Sequence, residues 1–290
     1  MTKTNPIASV IVPSFNHQTF LLNALNSIKT IHGKDVEVII IDDCSNDLSK
    51  NIIKMWRKKN IHKFSCIETI FHSKQYGISN VVLELISSSH AKLLIPLASD
   101  DMFFPNTVDE RIKFLHCNPN IWVGFSDASV LNKKGKTIEG SLYKYYNHKF
   151  SAAPCAALRK ELVLNWNYPA NIQFWRKGEW INEISPGMFS EDVEIALTAL
   201  SKSKIKYLDK VLYQYRVADW PIKVKGCEKT KRLHLAYYYK KESKKVCGIY
   251  KKTLEVLSEY NFSLAIGDAK RVKFCEKKIS FLKKIPPIFF

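Results

Sequence analysis

Residues 8–16 read A-S-V-I-V-P-S-F-N and residues 36–47 read V-E-V-I-I-I-D-D-C-S-N-D. Each is a short β-branched run that stops abruptly in a polar cluster, and each is followed by residues at helical spacing. After the first, Leu21, Leu22, Leu25 and Ile28 fall on one helical face. The second is apolar from Val36 to Ile41 apart from Glu37, and Leu48 to Trp56 then returns to the helical period. Two further strand-like runs follow, Phe64 to Phe71 and Leu93 to Leu97, with a helical segment, Ile78 to Ile86, between them. Strands alternating with helices predict an α/β fold on a mostly parallel sheet, buried on both faces and joined by right-handed crossovers.

In such a sheet the crevice for a ligand lies beyond the carboxyl ends of the strands. Three polar clusters fall there: Ser14-Phe15-Asn16, Asp42-Asp43-Cys44-Ser45 and Ser99-Asp100-Asp101. Past Asn118-Pro119 the alternation loses its regularity. The sequence predicts a hairpin around Lys133-Lys134-Gly135-Lys136, an aromatic-rich stretch from Tyr143 to Trp180 and a helix over Ser190 to Leu200. Two short strands within Ile205 to Arg216 and a long basic helical region from Lys229 to Tyr260 complete the pattern. The chain divides accordingly into a first half of the sheet domain, 1–118, a second half, 119–220, and a basic helical extension, 221–290.

With 290 residues, 46% of them hydrophobic and 25% charged, the chain has the composition of a folded protein with a sizeable core. Its formal charge of +18 predicts attraction to a polyanion: nucleic acid, anionic lipid or a diphosphate. The charge is uneven, because residues 221–290 hold 18 Lys and Arg against 6 Asp and Glu, or +12 of the total. Seven cysteines, at 44, 66, 117, 155, 227, 247 and 275, form no C-x-x-C pair, which fits free thiols in a reducing cytoplasm. The start, Met1 to Pro6, is polar, and no apolar run reaches the roughly 18 residues of a membrane span. A cytoplasmic protein, neither secreted nor membrane-spanning, is expected.

Three acidic clusters carry the candidate chemistry, and each has a structural reading beside the functional one. Asp100 and Asp101 close a buried strand, where a hard divalent cation and a diphosphate would neutralise them. The same pair before Pro105 and a helix at Asn106 also suits a capping loop. Asp42 and Asp43 can accept hydrogen bonds from a base or ribose, and a D-x-S-x-D sequence equally makes a tight turn that caps the helix near Asp47. Glu191 and Asp192 follow Pro186-Gly187 at a helix start, where they favour the helix dipole or, on the sharper reading, supply a general base.

Taken together and in this order, the clusters resemble the family 2 glycosyltransferases with the GT-A fold, of the bacterial surface-polysaccharide type, over about residues 7–217. Ala8 to Asn16 and Glu37 to Asp47 resemble the family's two nucleotide-binding strands, and the spacing from Gly77 to Asp101 matches without a gap. S-E-D-V-E-I-A-L, Ser190 to Leu197, resembles the catalytic-base motif, and Tyr207 to Arg216 the segment that follows it. The resemblance implies a Rossmann-like GT-A sheet with an acceptor-side subregion and a basic helical extension. It implies that Pro13, Phe15, Asn16, Asp42, Asp43, Gly77 and Ser99 meet the nucleotide, that Asp100 lies by the ribose or metal, and that Asp101 is the principal ligand of Mn²⁺ or Mg²⁺. Asp192 becomes the general base with Glu191 beside it, and Arg216 approaches the diphosphate. The chain departs from the pattern at Val81-Val82-Leu83, where many members read Ala-Arg-Asn, at Ala98, where many have Asp, and at Val217-Ala218-Asp219-Trp220.

The resemblance further implies an inverting transfer from a nucleotide-sugar, UDP being the family's commonest donor nucleotide, to a hydroxyl of a saccharide or lipid-linked saccharide. Trp166, Trp175, Trp180, Tyr143, Tyr145, Tyr146 and Tyr168 are candidates for stacking on acceptor sugars, with core packing the expected fate of most. The basic tail ending in Phe281 to Phe290 is a candidate for an anionic membrane surface, against the alternative of a solvated face packed on the body. Competing classes are weaker. A sugar nucleotidyltransferase would carry G-x-G-T-R where this chain has P-S-F-N, and no nucleic-acid-binding module accompanies the positive charge. An inactive nucleotide-sugar-binding relative is the third alternative.

Overall fold

The computed structural model describes residues 5–146, 155–164, 172–184, 191–217, 227–286 and 290. The first strand, β1 (Ala8–Ser14), leads into α1 (Gln18–Asn26), followed by β2 (Val36–Asp42), α2 (Ser49–Asn60), β3 (Cys66–Phe71), α3 (Ile78–Ser88) and β4 (Leu93–Pro96). Pairing is parallel in the order β3-β2-β1-β4. Ser14 pairs with Asp42 and Asp42 with Phe71, so three strand ends sit level at one rim. The fourth strand pairs with β1 only as far as Ile11 and Pro96, and the chain then turns away. That divergence opens the rim where the polar clusters lie.

The next elements are β5 (Met102–Phe103), α4 (Thr107–Cys117), β6 (Val123–Leu131), β7 (Thr137–Glu139), α5 (Leu142–Tyr145), α6 (Cys155–Leu164) and β8 (Gln173–Arg176). After them come α7 (Glu191–Ser201) and β9 (Ile205–Arg216). These strands extend the same sheet, β8 running antiparallel between β4 and β6, β9 parallel to β6, and β5 antiparallel at the edge of β9. The β6–β7 hairpin turns at the expected Lys133 to Lys136. Where two short strands were expected between Ile205 and Arg216, β9 is a single strand whose register with β6 slips on either side of Asp127. The Asp127 carboxylate accepts the Ala128 and Leu142 N–H groups at that irregularity, which keeps the strand continuous.

All seven residues of β2 are buried, as its apolar run requires of a strand covered on both faces. Helix α2 turns Ile53 and Trp56 inward, α3 Val82 and Leu85, and α4 Val108, Ile112 and Leu115. Leu22 departs from expectation. It is 47% exposed, because nine-residue α1 presents only Leu21, Ala24 and Leu25 to the sheet.

Glu37, the polar exception in β2, is buried and saturated. It accepts from Ser9 Oγ at 2.5 Å, from the N–H groups of His90 and Ala91 at 2.7 and 3.2 Å, and its second oxygen meets His90 Nδ1 at 2.9 Å. One carboxylate thereby ties β2 to β1 and to the turn that launches β4.

The basic extension forms α8 (Cys227–Ser243), α9 (Gly248–Ile266) and α10 (Ala269–Lys284), and it docks closely on the body. Buried Glu194 of α7 accepts from Tyr238 Oη at 2.8 Å and pairs with Lys241 Nζ at 3.0 Å. Ser201 Oγ donates to Glu242, and Lys245 bridges Glu242 and Glu183. At the far end Lys160 Nζ donates to the Ile285 carbonyl, and Phe290 is buried.

Glu37→Ala removes the acceptor of the Ser9 hydroxyl and of the His90 N–H, while the Ala91 N–H keeps Ser9 Oγ, and should lower unfolding free energy by about 2 kcal/mol in urea titrations. Glu37→Gln, which keeps one acceptor oxygen, should cost less.

Candidate active site

The loops after β1 and β2 are stapled to one another. Both oxygens of Asp42 accept from Ser45, from its N–H at 2.9 Å and its hydroxyl at 2.6 Å, and the Ser45 hydroxyl in turn accepts the Asn16 N–H at 2.9 Å. Asn16 Oδ1 returns a bond to the Asn46 N–H. Asp47 caps α2 through Ser49 N–H while accepting Gln18 N–H. Asp42, expected at the nucleotide, is fully buried, and its carboxylate shapes the loop through Ser45. Cys44 holds φ at +66°, a left-handed conformation that a side chain adopts only under such constraint.

Asp43 is likewise redirected inward. It is 4% exposed and accepts the N–H groups of Tyr76 and Gly77 at 2.8 Å each, and the His72 ring at 2.8 Å. Gly77 supplies the φ of +86° that this loop needs before α3. Of the residues expected to meet a nucleotide, Pro13 and Gly77 are half-buried at the rim, and Phe15 and Asn16 are exposed there. Val82, standing where many members have Arg, packs into the core.

The acidic turn after β4 divides its two carboxylates. Asp101 is buried, its Oδ1 accepting the Arg216 N–H at 2.7 Å and its Oδ2 the Tyr213 hydroxyl at 3.0 Å, while that hydroxyl accepts the Ala98 N–H. Burial first, and then the neighbouring Asp100 charge, push Asp101 well above the usual carboxylate range, against the pull of Arg216 and Tyr213. Asp100 is half-buried, and no donor among the described residues bonds its carboxylate. Asp101, expected as the principal metal ligand, thus accepts one hydrogen bond at each carboxylate oxygen. Asp100 is the more exposed carboxylate of the pair. Among the described residues no cluster of three or more His, Cys, Asp or Glu side chains forms a metal cage.

Arg216, expected near the diphosphate, is anchored on several sides. Its Nε donates to the Asp100 carbonyl at 2.9 Å, its Nη1 to the carbonyls of Asn132 and Lys133 at 3.1 and 3.2 Å, and its guanidinium lies 4.5 Å from the Phe20 ring. Only 7% exposed, it clamps the acidic turn to the β6–β7 hairpin and to α1. Ser99 is buried against His17, whose Nδ1 lies 2.7 Å from its hydroxyl.

Asp192 sits at the start of α7, half-buried, with its carbonyl accepting from Gln173 Nε2. The Glu191 side chain and residues 166, 168, 186, 187, 190 and 218–220 lie outside the described residues. Tyr215, unmarked in the sequence reading, joins the two acidic groups. Burial, and then the charges of Tyr146, Asp101, Asp100 and Asp192, raise its pKa. Tyr239 of α8 feels Asp192 as well. The signal available in sequence was Y-Q-Y at 213–215, whose period of two puts both tyrosines on one face of β9. Among the stacking candidates, Tyr143 and Trp175 are core, Trp180 stacks on Trp122, and Tyr145 and Tyr146 remain near the surface by Tyr215.

His72 bridges Asp43 at 2.8 Å and Glu84 at 2.9 Å, with the Tyr76 ring 4.8 Å away. Burial opposes its protonation, but hydrogen bonds and attraction from the two carboxylates outweigh it and raise its pKa above the ordinary 6.5.

A sheet parallel over β3-β2-β1-β4, with an acidic turn after β4 and a carboxylate on a later helix brought to the same rim, defines a GT-A domain. The chain belongs to glycosyl transferase family 2, whose family model matches residues 9–165, more than half of the chain. It is 29% identical over 131 residues to an uncharacterized glycosyltransferase of Rickettsia conorii, which is 45% of this chain but 20% of that one, so it spans only about a fifth of that relative's length. A Bacillus subtilis protein named as a teichuronic acid biosynthesis glycosyltransferase, TuaG, is 24% identical over 115 residues, 40% of this chain and 44% of its own. Residues 1–349 of Staphylococcus aureus TarS, solved in complex with UDP-GlcNAc, superimpose with a TM-score of 0.70 at 16% identity, covering 95% of this chain and 83% of that one.

Arg216→Met should lower unfolding free energy by about 3 kcal/mol, read by urea titration, because three carbonyls and the Phe20 face lose their cation. The His72 bridge has a folded pKa above the unfolded one, so its stabilisation is complete below the unfolded value and lost as pH rises through the folded one. The stability gap between wild type and His72→Gln should therefore be wider at about pH 6 than at about pH 8.5.

Proposed function

We propose that the chain transfers a sugar from a nucleoside-diphosphate sugar, UDP-linked in the first instance, to a hydroxyl of a saccharide or lipid-linked saccharide acceptor. The transfer proceeds with inversion and serves assembly of a bacterial surface polysaccharide. The observation that supports this reading is that the charges of Asp101 and Asp100 on the acidic turn and of Asp192 on α7 all act on one group, Tyr215 at the end of β9. A carboxylate from α7 in the same electrostatic neighbourhood as the acidic turn suits a site in which one group holds the donor and another takes a proton from the acceptor. Family membership and the likeness to TarS with UDP-GlcNAc support a nucleotide-sugar donor, and the name of TuaG supports a polysaccharide product.

In this reading Pro13, Phe15, Asn16 and Gly77 border the nucleotide, and the saturated carboxylates of Asp42 and Asp43 hold their loops in shape. Asp100 would hold a Mn²⁺ or Mg²⁺ together with the donor's own phosphate oxygens. A hard cation bound by one carboxylate, a diphosphate and waters needs no wider protein cage, so the residues present fit it. When bound, such a cation supplies positive charge against the charge that develops on the leaving diphosphate. Asp192 accepts the proton of the acceptor hydroxyl as its oxygen bonds to the anomeric carbon and the bond to the diphosphate breaks. A single displacement with one base and no enzyme nucleophile inverts the configuration. Tyr145 and Tyr146 are the described aromatic residues best placed to meet the acceptor.

Thermal shift against UDP-, GDP- and dTDP-sugars, with and without Mn²⁺, tests the donor site, since bound ligand raises the melting point by mass action. One nucleotide should stabilise the wild type in a metal-dependent manner, and Asp100→Ala should remove that dependence. Asp192→Asn should keep donor binding while slowing release of nucleoside diphosphate by about a thousandfold in the presence of acceptor. Metal-dependent stabilisation unchanged in Asp100→Ala would refute the ligand assignment, and donor binding with no turnover toward any saccharide would make the chain a binding protein.

A further inference from the structure

The C-terminal helix α10 carries a feature that sugar transfer does not use. Over residues 269–284 it holds seven Lys and Arg against a single Glu. One side is fixed to the body. Cys275 and Leu282, two turns apart, are buried, and just past its end the Ile285 carbonyl accepts Lys160 Nζ while Phe290 returns into the core. The other side presents Phe274 and Phe281, also two turns apart, at 53% and 67% exposure. By helical spacing, Lys270, Lys277 and Lys284 run alongside that pair, and Lys278 flanks it on the other edge with its ammonium 4.1 Å from the Phe274 ring.

An exposed phenylalanine gains nothing from water, and here the helix is already anchored through Cys275 and Leu282, about 100° round it from the rings, so these rings are not awaiting an internal partner. Two aromatic rings bordered by lysines match the surface of an anionic bilayer. The rings enter the boundary between headgroups and acyl chains, and the flexible lysine stems keep their ammonium groups among the phosphates. The described residues contain no helix long and apolar enough to cross a membrane, so this contact is peripheral. A nucleic acid would also meet the charge, but the seven-residue spacing of the rings leaves them in one row along a rigid helix, which suits a flat apolar layer better than successive bases.

We propose that α10 seats the protein on an anionic lipid surface, with Phe274 and Phe281 as the inserted side chains and the flanking lysines as the electrostatic contact. The seat stands independently of the sugar-transfer reading. If that reading holds as well, the seat brings the crevice to the surface that carries a lipid-linked acceptor.

The test is flotation of the full chain with vesicles of phosphatidylcholine containing about 30% phosphatidylglycerol, beside pure phosphatidylcholine. The wild type should float with the anionic vesicles only, and less so at high salt. Phe274→Ser with Phe281→Ser should weaken binding by at least about tenfold, and Lys270→Gln with Lys277→Gln and Lys284→Gln by a comparable factor. Both variants should melt as the wild type does, because the altered side chains are exposed. Absence of flotation, or flotation undiminished in the phenylalanine variant, overturns the proposal. A random oligonucleotide bound in place of vesicles, or a concentration-dependent dimer lost in that variant, also overturns it and reassigns the face. Donor binding by thermal shift is read separately, so failure of the membrane seat is distinguishable from failure of the transferase reading.

Discussion

The buried carboxylate of Asp101 is the constraint around which the rest of the rim is arranged. A charge taken out of water is tolerable only when its lone pairs are met, and here Tyr213 and the Arg216 backbone meet them. Those two contacts fix the end of β9 against the turn after β4. Once β9 is fixed, the Arg216 side chain reaches the Asp100 carbonyl and the β6–β7 hairpin, and Tyr215 comes to stand among the acidic groups. The more exposed carboxylate of Asp100 is thus positioned by the contacts of its buried neighbour.

The same economy recurs across the sheet. Asp42, Asp43 and Glu37 are acidic residues at or near strand ends, and all three are consumed in holding loops. Each converts a flexible connection into a rigid one by accepting backbone N–H groups that would otherwise be buried without partners. The loops of the candidate site are therefore preorganised by acidic residues that bond their own backbone. On the far side, the Glu194 network locks α8 onto α7, so the helix that carries Asp192 is held by the basic extension and cannot be considered apart from it.

Much of this was open to reading in the chain itself. The periodic change from two to three and a half residues set out the strands and helices from Ala8 to Leu97, because a strand buried on both faces must be continuously apolar and its helices must each keep one apolar face. The abrupt arrival of polar residues at three strand ends marked the rim, since a parallel sheet leaves its crevice there. The departures came where one residue's direction mattered. Leu22 fits the helical period yet is exposed, and the run from Ile205 to Arg216 is one strand whose extra residues are bulged between Tyr207 and Tyr213.

The sequence by itself determined the kind of fold, the family and the positions of the acidic clusters, because periodicity and the order of motifs are properties of the chain. Only the tertiary structure decided which carboxylates face outward. Asp100 and Asp101 are equivalent as letters, and the turn closed by the Asp101 N–H on the Ala98 carbonyl, with Tyr213 and Arg216 beside it, buries one and leaves the other partly exposed. It likewise decided that the Arg216 guanidinium meets three backbone carbonyls, and that α10 exposes Phe274 and Phe281 while burying Cys275 and Leu282. Each of these depends on which element packs beside another, and that pairing joins residues up to 125 positions apart.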